Sequence, residues 1–253
     1  MSQSLEHGLY TKDKIRIAYE HAKKGFESVI IVCPGFFNSK KNRWMRKAVD
    51  MVSNDHDTIV FDFRGHGDSG GKFSWSAKEY LDLEAILDYA VAQKYKKIGI
   101  LAFSLGAAAS INVASKHKNI ASMILISCPM SFWRIDYHFW EPEMLSDLKD
   151  NIDCEWEGKG ARITSLIMPK PKPIDNIGKI KSTPILFIHG DSDWVIKDYH
   201  SRNLYDAAKT HKRLEIIKKG LHAERLIQQY PDRIKDLALG WFADTLKEKG
   251  GLK

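Results

Sequence analysis

The stretch Lys97–Ser110 constrains this chain more than any other. Lys97-Ile98-Gly99-Ile100-Leu101-Ala102-Phe103 reads as a short apolar strand, and Leu105-Gly106-Ala107-Ala108-Ala109-Ser110 as a helix start built from very small residues. Only Ser104 stands between them, so the backbone must pass from strand to helix at one strained residue. Ala102 and Gly106, two positions to either side, leave room for so tight a corner. Such a corner projects the serine hydroxyl clear of the sheet and aims the first helical N–H groups at a reacting centre. Ser104 is therefore the expected nucleophile. The competing reading is an ordinary packing corner with the serine as a helix cap. Ala102 departs from the usual G-x-S-x-G spacing by one methyl, which the corner absorbs with a tighter fit.

Strand and helix patterns alternate along the chain. Leu9–Tyr19 alternates apolar and polar residues, as a half-buried strand does. Continuous β-branched runs at Ser28–Cys33, Thr58–Phe63, Ala121–Ser127 and Thr183–Ile188 read as strands buried on both faces. Leu214–Ile217 adds a further strand. Helical spacing is expected over about Lys40–Ser53, behind a Ser76-x-x-Glu79 capping box, over about Asp198–Lys209, and from near Pro231 onward. The alternation predicts an α/β fold, with a mostly parallel central sheet and helices on both faces. Residues 129–182 break the rhythm. They carry Phe132, Trp133, Tyr137, Phe139, Trp140 and Trp156 and end in Pro169-Lys-Pro171-Lys-Pro173. The segment reads as a small inserted cap that returns through a stiff proline hinge. The core domain is then 1–128 together with 183–253.

Composition excludes several other classes. The net charge is +7, but the basic residues, Lys40-Lys41 among them, are scattered like solvated helix and strand ends, and no aromatic-interleaved basic stripe accompanies them. No nucleic-acid partner is expected. No apolar run approaches the roughly 20 residues of a membrane span, and Met1–Lys14 lacks the apolar core of a secretory signal. The three cysteines show neither disulfide nor metal-ligand spacing, which suits a cytoplasmic setting. Asp191-x-Asp193 lacks the further ligands of a metal shell. No cofactor and no metal are expected.

Ligands of open α/β sheets bind beyond the carboxyl ends of the strands. Three loops there carry reactive side chains: Ser104, Asp193 after Thr183–Ile188, and His222 after Leu214–Ile217. The chain order Ser…Asp…His separates this arrangement from other serine-hydrolase arrangements. With Pro34-Gly-Phe-Phe37, Asp62-Phe-Arg-Gly-His-Gly-Asp-Ser69, His189-Gly-Asp-Ser-Asp193 and Gly220-Leu-His222, the chain resembles the α/β-hydrolase superfamily over nearly its whole length. Arg64–Phe73 is most similar to small bacterial esterases, the cinnamoyl and feruloyl group included. Pro34 stands where the family usually has histidine. The family register favours Asp193 over Asp191 as the acid.

The resemblance implies a catalytic Ser104, Asp193 and His222. The N–H groups of Phe36 and Leu105 would form the oxyanion hole, and Phe37, Trp133, Phe139 and Trp140 a substrate-binding wall. For the cap rings, a small core of their own is an equal alternative. His66 is expected to be a structural hydrogen-bonding residue rather than the base. The implied activity is cleavage of small-molecule carboxylic esters, with short or aromatic acyl groups, through an acyl-enzyme in a monomer or homodimer. The same parts would serve a thioesterase, an amidase or a C–C hydrolase, and the fold also hosts non-catalytic binding proteins.

Overall fold

The computed structural model describes residues 6–135, 160–164 and 168–246. Its strands are β1 (Glu6–Tyr10), β2 (Arg16–Ala22), β3 (Ser28–Cys33) and β4 (Asp57–Phe61). They continue as β5 (Lys97–Phe103), β6 (Ser122–Ile126), β7 (Ile185–Gly190) and β8 (Lys212–Ile217). All eight form one sheet in the order β1-β2-β4-β3-β5-β6-β7-β8. β1 and β2 pair antiparallel, as do β2 and β4; every other pairing is parallel.

The helices that connect or flank the strands are α1 (Arg43–Val52), α2 (Glu79–Ala92), α3 (Leu105–Ala114), α4 (Pro173–Ile177), α5 (Tyr199–Ala207), α6 (Arg225–Gln229) and α7 (Pro231–Thr245). Two apolar cores sandwich the sheet, and the two-residue period of a strand feeds both. From β3, Val29, Ile31 and Cys33 join the core beneath α2, α3 and α5. Ile30 and Val32 join the opposite core, beneath α1, α6 and α7. The central strands read as unbroken apolar runs for this reason.

Three local expectations are corrected. Leu9–Tyr19 is not one strand but parts of β1 and β2. The polar residues Thr11–Lys14 close a turn in which the Ile15 N–H donates to Thr11 Oγ1 at 2.9 Å. The Glu79 carboxylate is not paired with Ser76; it accepts the Ser74 N–H at 2.7 Å and the Ser74 hydroxyl at 2.9 Å. Ser74 Oγ in turn accepts the Lys78 N–H, so the capping contact sits two residues earlier than the spacing suggested. Pro173, the last proline of the expected stiff stretch, is helical: it opens α4, where its fixed φ suits the first helical turn. Among the described residues, no helix is long and apolar enough to cross a membrane.

Candidate active site

Ser104 follows β5 directly and precedes α3, with φ 47° and ψ −110°. A non-glycine residue in this region carries about 1–3 kcal/mol of strain, which the packing around it must sustain. The Ser104 N–H donates to the Ile126 carbonyl at 2.8 Å, tying the corner to the end of β6. A Cβ on Gly106 would lie 2.5 Å from the Cys33 carbonyl oxygen and 2.6 Å from that of Pro34. Only a glycine lets α3 approach the end of β3 so closely. Ala102, by contrast, sits wholly buried within the core, where its methyl is accommodated.

Asp193 lies just past β7 and is fully buried. Its Oδ1 accepts the N–H groups of Val195 (2.9 Å) and Ile196 (2.8 Å). Its Oδ2 lies 2.7 Å from His222 Nδ1 and 3.2 Å from His189 Nε2. Burial pushes the Asp193 carboxyl up, but His222 and His189 outweigh it and hold the acid below the usual carboxylate range. An ionised Asp193 fixes the hydrogen of His222 on Nδ1 and makes Nε2 the basic nitrogen.

The loops bearing Asp193 and His222 are packed backbone to backbone. The Asp191 N–H donates to the Ile217 carbonyl (3.1 Å) and the Ser192 N–H to that of Gly220 (3.0 Å). A Cβ on Gly190 would fall 2.1 Å from the Gly220 oxygen. Next to His222, the Ala223 N–H donates to the buried Ser127 hydroxyl at 2.9 Å. The end of β6 therefore holds both the Ser104 corner, through Ile126, and the His222 loop, through Ser127. Asp191 turns elsewhere: its Oδ1 accepts the Lys219 N–H at 2.6 Å.

Gly35, Phe36 and Phe37 follow β3. A Cβ on Gly35 would lie 3.5 Å from the Cβ of Ser104, so this loop closes on the serine corner. Phe36 stacks on Phe73 (centroids 4.8 Å apart) and lies 5.6 Å from the Trp75 ring. His66 joins the cluster edge-on at 5.8 Å from Phe36. Burial pushes the His66 imidazole down to about 4, so it is neutral at ordinary pH. Trp133 is 62% exposed, with the Lys170 ammonium 4.0 Å above its ring. Phe139 and Trp140 lie outside the described residues.

Several contributors escaped the sequence reading. Lys40 is no solvated charge. It is fully buried, with Nζ 2.9 Å from Asp62 and also paired with Asp68, and its N–H donates to Asp62 at 2.6 Å. The glycine-rich loop wraps this centre; a Cβ on Gly67 would stand 2.3 Å from Asp62 Oδ2. Asn38 Nδ2 donates to Glu224 Oε1 at 2.8 Å, bridging the Phe36 loop to the His222 loop. Nothing in local spacing singles out Lys40, Asn38, Ser127 or Glu224, because their partners are distant in the chain. His189 had a sequence signal, being part of the His189–Asp193 motif. Among the described residues, no cluster of His, Cys, Asp and Glu is arranged to hold a metal ion.

Comparison with known proteins bears on the fold. A family profile described as the alpha/beta hydrolase fold matches residues 28–152. The chain is 26% identical over 267 residues to the uncharacterized protein YqkD of Bacillus subtilis, covering 92% of this chain and 83% of that one. It is 24% identical over 243 residues to the uncharacterized membrane protein YNL320W of Saccharomyces cerevisiae, covering 91% and 78%. Among solved structures, the Pyrococcus furiosus esterase Pf2001 matches with a TM-score of 0.77 and 22% identity, over 97% of this chain and 94% of the other. A thermophilic esterase from Thermogutta terrifontis matches with a TM-score of 0.73 and 16% identity, over 96% and 100%.

Proposed function

Because the chain has the α/β-hydrolase fold, we propose that it is a serine esterase acting through Ser104, His222 and Asp193. The observation that carries this reading is the 2.7 Å contact between Asp193 and His222, at the same end of the sheet as the strained Ser104 corner. His222 Nε2 takes the proton of the Ser104 hydroxyl as Oγ bonds to the ester carbonyl carbon. Asp193 holds the imidazole in the productive tautomer and stabilises the imidazolium. The N–H groups of Leu105 and Phe36 receive the developing oxyanion. The alcohol departs with the proton from His222, leaving an acyl-enzyme. Water then attacks, giving up its proton to His222, and releases the carboxylic acid while Ser104 is reprotonated.

In this reading residues 129–182, of which 136–159 and 165–167 lie outside the described residues, serve as a cap. The rings of Phe36, Phe37 and Trp75, clustered at the loop after β3, together with the exposed Trp133, favour short or aromatic acyl groups over long chains, by about 1–3 kcal/mol per well-filled step. Esterase activity in structural relatives such as Pf2001 agrees with the reaction class.

The test is covalent labelling by a fluorophosphonate probe, lost in Ser104→Ala, alongside a hydrolysis panel of graded acyl length with hydroxycinnamate esters and an acyl-thioester. Highest specificity constants for acyl chains of about twelve carbons or more would overturn the substrate reading. So would a Trp133→Ala variant that loses stability but retains wild-type selectivity.

A further inference from the structure

We propose that His189 is a positioning residue for the acid, holding the same carboxylate oxygen of Asp193 that meets His222. The inference rests on the reading of Asp193 and His222 as the catalytic acid–base pair. His189 is the penultimate residue of β7 and is fully buried. Its Nε2 lies 2.7 Å from the Ile196 carbonyl oxygen and 3.2 Å from Asp193 Oδ2. Both neighbours are acceptors, so this nitrogen carries a hydrogen shared between them. On the far side of the ring, Nδ1 lies 2.6 Å from the Ser201 hydroxyl of α5, which is also fully buried.

Asp193 therefore sits in a complete cage. Two backbone N–H groups occupy Oδ1, and two imidazoles occupy Oδ2. Among the described residues, the titratable groups that face it are His189 from β7 and His222 from the loop after β8. From the packed elements, α5 turns His200 toward the Met130 N–H (3.1 Å) and only Ser201 toward this network. Asp191 is engaged with the Lys219 N–H.

The role follows from charge sharing. A donor on Oδ2 draws carboxylate charge away from His222 and fixes the rotamer that presents Oδ2 to it. Removing that donor concentrates the charge on His222 and makes its imidazole more basic. A residue that merely fills space would leave that basicity alone.

The experiment is an NMR titration of ¹⁵N-histidine-labelled full-length protein, following His222 in the wild type, His189→Phe, His189→Gln and Ser201→Ala, paired with pH profiles of kcat/KM. His189→Phe should raise the His222 pKa by about half a unit to one unit, a three- to tenfold gain in proton affinity, and shift the acid limb of the profile equally. His189→Gln, whose amide restores a donor, should return toward the wild type. Ser201→Ala leaves both acceptors beside Nε2 in place, so the hydrogen stays there and His222 should titrate close to the wild type. If His189→Phe fails to fold, the tautomer of His189 in the wild type decides, since the same ¹⁵N spectra read it directly: a hydrogen on Nδ1 instead of Nε2 overturns the proposal. An unmoved His222 in folded His189→Phe, whatever happens to kcat or Tm, overturns it as well. Ester turnover that survives Ser104→Ala would instead overturn the proposed function, and the NMR readout keeps the two failures apart.

Discussion

His66 accepts the backbone N–H of Phe37 through Nε2 at 3.1 Å and meets the Arg64 carbonyl through Nδ1 at the same distance. One imidazole thereby ties the glycine-rich loop after β4 to the loop after β3 that carries Phe36. Phe37 has φ 69°, and its carbonyl accepts the Gly160 N–H at 3.1 Å. Both ends of this strained residue are therefore pinned.

Replacing His66 with alanine leaves the Phe37 N–H without its acceptor, a loss of about 1–3 kcal/mol, and releases Phe36 beside it. Turnover on a short aryl ester should fall about ten- to hundredfold, with KM changing far less; a rise confined to KM would contradict this.

His66 also predicts a pH dependence of stability. Its folded pKa, about 4, lies below the roughly 6.5 of an unfolded histidine. Between those values the unfolded chain binds the extra proton, so stability is full above about pH 6.5 and declines toward pH 4, by about 3 kcal/mol at most. His21, also pushed down to about 4 by burial, titrates in the same window. The relevant comparison is therefore between wild type and His66→Gln: urea midpoints at pH 7 and pH 4.5 should diverge less in the variant.

Ser104→Ala and His222→Ala should each lower turnover by about 10⁴-fold or more while leaving far-UV circular dichroism unchanged. Activity within about tenfold of wild type in either variant would remove that residue from the mechanism.

Asp193→Asn should cost about 10⁴-fold, because an amide facing Nδ1 selects the wrong tautomer of His222. Asp191→Asn retains the oxygen that accepts the Lys219 N–H and should keep near-wild-type rates. A reversed ranking would transfer the acid role to Asp191.

Gly106→Ala should destabilise the protein by about 1–3 kcal/mol or more and depress activity with it. The added methyl meets the carbonyl oxygens of Cys33 and Pro34 at 2.5 and 2.6 Å, and neither belongs to a flexible side chain that can yield. Urea denaturation followed by circular dichroism checks it.

The fold was legible because strands buried on both faces leave an unmistakable trace: runs such as Val29–Cys33 supply both cores at once. The Ser104 corner was legible because a turn without loop residues tolerates so few side chains on either side. Chain order pointed to Asp193 and His222, and the structure brings them to 2.7 Å. What stayed hidden depended on partners far along the chain. Lys40 looks like one member of a solvated basic run until β4 and the glycine-rich loop deliver Asp62 and Asp68 to it. Ser127 is one serine among many until the chain returns 96 residues later with the Ala223 N–H. Glu79 chose Ser74 over Ser76 because Ser76, with φ 71°, is turned into a left-handed conformation that spacing alone does not reveal.

The position of β8 at the rim of the sheet has a consequence for heat. Ser104 hangs from β5, which is clamped between β3 and β6, whereas His222 hangs beyond β8, which has a neighbour on one side only. Several β8 residues are only partly buried, and rim strands open at lower cost than those in the middle. Warming should therefore displace His222, the proposed base, before the sheet melts. Hydrolysis would fade at temperatures where circular dichroism still reports an intact protein, and would return on cooling, so thermal inactivation and thermal unfolding would be two events, the first of them reversible.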